Sequence, residues 1–103
     1  MNVSIIIPCY NCETYIKKNI LKIYKKLKNK KINYEIILVD DYSNDKTLPN
    51  LNKLKKKFKK IKVMSNEKNF GKSYSIIKGV KACKYRNVVF IDCDFPYFQS
   101  ILN

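Results

Sequence analysis

The sequence predicts an α/β fold, a parallel sheet with helices on its faces. Three observations predict it. Four short apolar runs, Val3–Ile7, Tyr34–Val39, Ile61–Met64 and Val88–Ile91, alternate with three stretches of helical periodicity. The last run is continuously apolar, as a parallel strand covered on both faces is. Polar, turn-forming segments follow three of the runs: Pro8–Asn11, Asp40–Asp45 and Asp92–Asp94.

Each element has a local reason. Val3–Ile7 reads as a buried strand ended by Pro8. Asn11 or Cys12 can cap a helix from Glu13 to about Asn29. Ile16, Ile20, Ile23 and Leu27 give that helix an apolar stripe, and lysines occupy the rest of its surface. Tyr34–Val39 is the second strand. A helix from Thr47 to about Phe58 follows, with Pro49 tolerated in its first turn. Its buried side is expected at Leu48, Leu51, Leu54 and Phe58. Ile61–Met64 is a short third strand.

Asn69-Phe70-Gly71-Lys72 opens a third helix, to about Tyr85, with Ile76, Ile77, Val80 and Cys83 expected to face the sheet. Gly79 costs this helix roughly 1 kcal/mol relative to Ala, which marks a close-packing point. Val88–Ile91 is the fourth strand, expected to be buried on both faces.

The order is βαβαβαβ, a Rossmann-like arrangement with right-handed crossovers. If the first strand lies between the second and the fourth, the topology reverses beside it. Ligands bind at such a switch point, outside the carboxyl ends of the strands. The three polar segments converge there.

The chemistry concentrates in Asp92-Cys93-Asp94. Two carboxylates one residue apart repel each other unless a cation or donors lie between them. Oxygen ligands suit Mg²⁺ or Mn²⁺, and Mg²⁺ is typically held by one or two carboxylates plus substrate phosphates. The competing reading is a solvated turn after a strand.

Composition bounds the rest. A chain of 103 residues with 46% hydrophobic content makes one domain with a real core. The net charge is +14, and Arg86 is the only arginine among 22 basic residues. Lysine is a point charge with less bidentate readout than arginine, so the excess implies general attraction to polyanions. No apolar run approaches the roughly 20 residues that span a bilayer. Met1–Pro8 lacks the basic and small-residue features of a signal peptide, which favours a cytoplasmic chain. Cys9, Cys12, Cys83 and Cys93 are then expected as thiols rather than bridges.

With these segments placed, the sequence resembles the family 2 glycosyltransferases of the GT-A fold, in their N-terminal, nucleotide-sugar half. Val3 through Asn11 looks like that family's opening strand and Pro-x-Tyr-Asn turn. Val39-Asp40-Asp41-Tyr42-Ser43-Asn44-Asp45-Lys46-Thr47 looks like its Val-Asp-Asp-Gly-Ser-x-Asp-x-Thr segment. Asn69-Phe70-Gly71-Lys72 is similar to its Asn-x-Gly helix opening, and Asp92-Cys93-Asp94 to its Asp-x-Asp metal motif. The resemblance covers nearly the whole chain, residues 1–103, as a single partial domain.

The resemblance implies roles. Pro8 and Tyr10 would line the base pocket, with Asn11 and Glu13 beside them. Asp41, with Asp40 next to it, would hydrogen-bond the nucleoside base. Lys72 would lie near the phosphates. Asp92 would sit near the ribose and metal, and Asp94 would bind the divalent cation, Mg²⁺ or Mn²⁺. The implied activity is metal-assisted transfer of a sugar from a nucleotide-diphosphate donor to a lipid-linked or envelope glycan. The expected partners are that donor, an anionic membrane surface against the lysine faces, and a C-terminal half or partner chain. A peripheral position at the inner face of the membrane goes with them.

The sequence also departs from the family. Cys12 stands where many members have Glu, and Glu13 comes one later. Tyr42 replaces the usual Gly. Phe95-Pro96-Tyr97-Phe98-Gln99 does not follow the usual continuation. The chain ends at Asn103, before an acceptor-binding half with its general base, so no catalytic base is assigned. The alternatives are a non-catalytic remnant of such an enzyme and a basic module for nucleic acid or anionic surfaces. Nucleic acid is not the expected partner, since no aromatic-interleaved basic stripe appears. A redox Cys9-x-x-Cys12 pair and a zinc site at Cys9, Cys12 and Cys93 are lesser readings.

Overall fold

In the computed structural model, which describes residues 1–94, the strands are β1 Asn2–Cys9, β2 Asn33–Asp40, β3 Ile61–Ser65 and β4 Asn87–Phe90. The helices are α1 Ile16–Lys28, α2 Thr47–Lys57 and α3 Lys72–Ala82. The strands form one parallel sheet in the order β3-β2-β1-β4. β1 therefore lies between β2 and β4, and the topological switch falls where the sequence order predicts it. The departure expected at Phe95–Gln99 lies outside the described residues.

Strand periodicity sorts the core into two layers. Val3, Ile5, Ile7 and Cys9 of β1 and Tyr34, Ile36 and Leu38 of β2 pack with Ile16, Ile20, Ile23 and Leu27 of α1 and with Leu51 and Leu54 of α2. Ile6, Ile37 and Val39 point to the opposite face, where Gly79 of α3 meets Ile6 and Val39. The expected stripe of α1 is wholly buried. The helix begins at Ile16 rather than Glu13, because the Cys12 carbonyl closes a preceding turn by accepting from Tyr15 N and Ile16 N. Leu48 is only half-buried; Leu51 and Leu54 carry the inner side of α2. Tyr24 stacks on Phe58, with ring centroids 4.3 Å apart, and closes the α1–α2 seam.

Two expectations are corrected. β4 is buried on both faces only in part: Val89 and Val88, each half-buried, pack against opposite core layers. Among the described residues it pairs only with β1, and Phe90 is 61% exposed. A four-residue apolar run reads the same at a sheet edge as at its centre. The sheet-facing side of α3 is also different. Ser75 and Gly79 are its buried residues, whereas Ile77 is 55% and Val80 41% exposed. A Cβ on Gly79 would lie 2.5 Å from Ile6 Cγ2. The bare backbone at Gly79 lets α3 settle onto β1, and the small i, i+4 pair becomes the contact line. Ile77 and Val80 are turned outward, whereas Ile76 is half-buried and Cys83 packs against Ile6, Ile37 and Val39 as expected. Gly79 is thus the close-packing point that its helix cost marks.

Candidate functional site

The carboxyl ends of the strands carry three loops, and two of them are latched together. Asn11 N donates to Ser43 Oγ at 2.9 Å, and Asn44 N donates back to Asn11 Oδ1 at 3.0 Å. Cys12 N donates to the buried Thr47 Oγ1 at 2.8 Å. Asp45 accepts from Glu13 N at 3.3 Å and from Thr47 N at 2.9 Å. Burial works to raise the Asp45 carboxyl, but the bonds from Thr47 and Glu13 hold it below the usual range. Asp40 Oδ2 accepts from Ser43 N at 3.2 Å and tightens the same turn. Its other oxygen is buried with no hydrogen-bond partner among the described residues. Tyr42 sits in this turn at φ 62°, the left-handed region that glycine favours. The chain keeps the turn that the family's glycine suits, with a side chain added.

Asp41 follows one residue beyond the sheet and is buried. Its Oδ1 accepts from Phe70 N at 2.8 Å and from Asn66 Nδ2 at 2.9 Å, and its Oδ2 accepts from Gly71 N at 2.9 Å. Asn66 also donates to Ser75 Oγ at 2.9 Å and accepts from Lys78 Nζ at 3.1 Å. One carboxylate thereby fixes the Asn69–Gly71 turn and the start of α3. Gly71, the residue before the helix, has φ 98°.

The third loop holds Asp92, Cys93 and Asp94. Ile91 N continues the ladder to Ile6 O at 2.9 Å. Asn19 of α1 donates to the Cys93 carbonyl at 2.9 Å, which anchors the turn between the two carboxylates. Asp92 forms an ion pair with Lys72, the first residue of α3.

These segments enclose a cavity of about 450 Å³. Pro8 and Cys9 line it from the end of β1, Tyr10 and Asp41 from just beyond β1 and β2, and Asn69, Gly71 and Lys72 from the entry to α3. Tyr15, Asp92, Cys93 and Asp94 complete the lining. Of the residues expected around a nucleotide, Pro8, Tyr10, Asp41, Lys72 and Asp92 meet in this cavity, together with Asp94. Asn11, Glu13 and Asp40 lie outside its lining; they build the latch that carries Tyr10. Sequence reasoning missed Tyr15, Asn19 and Asn66. An Asn directly after a strand signals a turn, but nothing local distinguishes Asn66 as the partner of Asp41.

Cys9 and Cys93 line the cavity, with Cys12 buried behind it. The Cys12 thiol lies 3.9 Å from Thr47 Oγ1. Its pKa is pushed up to about 12, first by Cys9 and then by burial, against opposing bonds from Cys93 and Thr47. Cys93 is raised by its bond with Cys12 and by burial. Tyr15, whose hydroxyl lies 3.8 Å from Cys93 Sγ, is raised chiefly by burial. Redox-active pairs need the reverse, a depressed pKa. All four cysteines are free. Among the described residues no three Cys, His, Asp or Glu side chains are grouped to hold a metal, so the zinc reading finds no support.

The donor set at Asp92 and Asp94 is of another kind. Two hard carboxylates beside a cavity suit a cation that completes its shell with water and substrate phosphates. Asp92 already faces a cation, the Lys72 ammonium.

A switch-point crevice in a parallel sheet, edged by carboxylates and a lysine, defines a Rossmann-like α/β domain of the GT-A type. The chain belongs to glycosyltransferase family 2, whose model, described as Glycosyl transferase family 2, matches residues 4–100. It is 33% identical over 104 residues to a dolichol-phosphate mannosyltransferase of Pyrococcus furiosus, covering 99% of this chain and 28% of that protein. Other curated relatives are spanned over 15% to 40% of their length. Among solved structures it is similar to S. aureus TarS 1–349 in complex with UDP, with a TM-score of 0.77 and 31% identity. That match covers 91% of this chain and 28% of TarS 1–349. The mannosyltransferase PcManGT of Pyrobaculum calidifontis, in complex with GDP-Man and Mn²⁺, shares the fold at a TM-score of 0.81 and 20% identity. There the match covers 98% of this chain and 30% of the other.

Proposed function

We propose that the chain is the donor-nucleotide half of a glycosyltransferase, binding a nucleotide-diphosphate sugar in the cavity at the switch point. The observation that carries this reading is the meeting of Pro8, Tyr10, Asp41, Lys72, Asp92 and Asp94 around one cavity. Tyr10, 46% exposed, offers a ring face to the base. Asp41 shapes the Asn69–Gly71 wall. Lys72 offers an ammonium to the diphosphate. Asp92 and Asp94 would hold Mg²⁺ or Mn²⁺, which when bound neutralises charge on a departing diphosphate. The UDP complex of TarS and the GDP-Man and Mn²⁺ complex of PcManGT support this class of ligand.

The acceptor site and its general base belong, in this reading, to the remainder of a full-length enzyme or to a partner chain. The acceptor class proposed is a lipid-linked or envelope glycan. Lys17, Lys18, Lys22 and Lys25 lie exposed on α1, and clustered lysines contribute about 1 kcal/mol each at an anionic leaflet. This face would hold the chain peripherally at the inner side of a membrane. No helix among the described residues is long and apolar enough to cross one.

The test is calorimetric titration of UDP and GDP into the chain and into Asp94→Asn, with Mn²⁺ and with EDTA. Metal-dependent binding that Asp94→Asn flattens is the expected result, with no sugar transfer by the chain alone. Absence of binding by the unaltered chain under every condition would sink the reading.

A further inference from the structure

We infer that Lys72 is a resident counter-cation at the candidate metal site: its ammonium and a divalent cation compete for Asp92, and metal binding releases Lys72 toward the diphosphate. The inference rests on the donor-site reading above and goes beyond it, because it gives the site two states. The first observation is the ion pair itself, which joins the first residue of α3 to the carboxylate after β4, both of them lining the cavity. The second is the placement of Lys72 on its helix. It occupies the first helical position, and the first turn of α3 has no acidic residue. A cation is disfavoured there, since the amino end of a helix carries the positive pole of its dipole. Lys72 is tolerated where an anion faces it. Asp92 is that anion in the structure, and a diphosphate would replace it in the loaded site.

Both partners remain accessible for the exchange, with side chains 58% and 53% exposed. An exposed ion pair is weak and readily broken. A divalent ion on Asp92 and Asp94 outcompetes a single ammonium, and like-charge repulsion then drives Lys72 away from it. No such exchange is open to Lys78, whose ammonium is tied to Ser65 O and Asn66 Oδ1. The exchange keeps the carboxylate pair partly neutralised before the donor arrives, and delivers a positive charge to the phosphates when it does.

The experiment measures free Mn²⁺ by electron paramagnetic resonance during titration of the nucleotide-free chain, Lys72→Gln and Lys72→Arg. The expected result is that Lys72→Gln binds Mn²⁺ about two- to fivefold more tightly than the unaltered chain, the range an exposed ion pair allows. Lys72→Arg keeps the original affinity. With UDP present the order reverses, and Lys72→Gln is the weaker binder. A direct readout accompanies it: amine labelling of Lys72, followed by mass spectrometry, should rise on adding Mn²⁺ and also in metal-free Asp92→Asn. Equal Mn²⁺ affinity in Lys72→Gln and the unaltered chain would overturn the inference and leave the donor site standing. No Mn²⁺ uptake by any variant would overturn both.

Discussion

Asn66 at the end of β3 holds Asp41 at the end of β2: its amide nitrogen lies 2.9 Å from Asp41 Oδ1 and 2.9 Å from Ser75 Oγ. Three elements, β2, β3 and α3, are joined through this one buried side chain. The carboxylate it holds accepts two further backbone amides, and Asp41 lines the cavity beside the wall it positions.

Asp41→Asn should therefore affect both folding and binding. An amide offers one acceptor oxygen in place of two, and at least one of Phe70 N and Gly71 N loses its partner. Losing a hydrogen bond to a charged group costs about 1.5–3 kcal/mol. We expect a stability loss of that size in urea unfolding, and nucleoside-diphosphate affinity lowered roughly tenfold or more with its Mn²⁺ dependence intact. Unchanged affinity would show that the Asn69–Gly71 wall is not part of the binding site.

The contact between α3 and β1 predicts opposite outcomes for neighbouring positions. Gly79→Ala gains about 1 kcal/mol of helix propensity but overpacks Ile6 at a cost of roughly 1–3 kcal/mol. The net expectation is a loss of stability. Ile77→Lys lies on the exposed side and should stay within about 0.5 kcal/mol of the unaltered chain. Thermal or urea unfolding of the two variants decides the matter, and a severe effect at Ile77 would mean that the larger face packs inward.

Tyr42 is exposed and sits in the left-handed region. That conformation costs a non-glycine residue roughly 1–2 kcal/mol, and glycine returns roughly 0.5–1 kcal/mol of this as added chain entropy. Tyr42→Gly should stabilise the chain by about 0.5–1 kcal/mol. A lower urea midpoint in this variant would show that the Tyr42 ring makes contacts worth more than the strain.

Glu35 lies at the opposite end of the sheet and gives a pH dependence. Burial works to raise its pKa. Hydrogen bonds from Lys62 Nζ at 2.7 Å, from Ser4 Oγ at 2.6 Å and from Lys84 N outweigh it, and the carboxyl is held below its ordinary value. A depressed folded-state pKa contributes stability that is fully present above the unfolded value, about 4.3. It is lost as pH falls through the lower, folded value. Glu35→Gln should therefore flatten the acid limb of the stability profile while Ser4 keeps a partner. Parallel acid-unfolding curves for the two proteins would contradict this.

The sequence by itself determined the order of strands and helices, the buried stripe Ile16, Ile20, Ile23 and Leu27, and the three polar segments at the carboxyl ends. Periodicity and turn chemistry are local, so they are legible without the fold. Gly79 was legible too, because a glycine inside a helix needs a reason. Only the tertiary structure decided that β4 pairs with β1 alone among the described residues, that Ser75 and Gly79 rather than Ile77 and Val80 meet the sheet, and that Asp41 accepts three of the chain's own donors. A strand's neighbours, a helix's rotation and a carboxylate's partners are set by residues far away in sequence. Asn66 meets Asp41 across 25 positions, and Asn19 meets the Cys93 carbonyl across 74. No local pattern records such pairs, because their energy exists only once the sheet has brought the loops together.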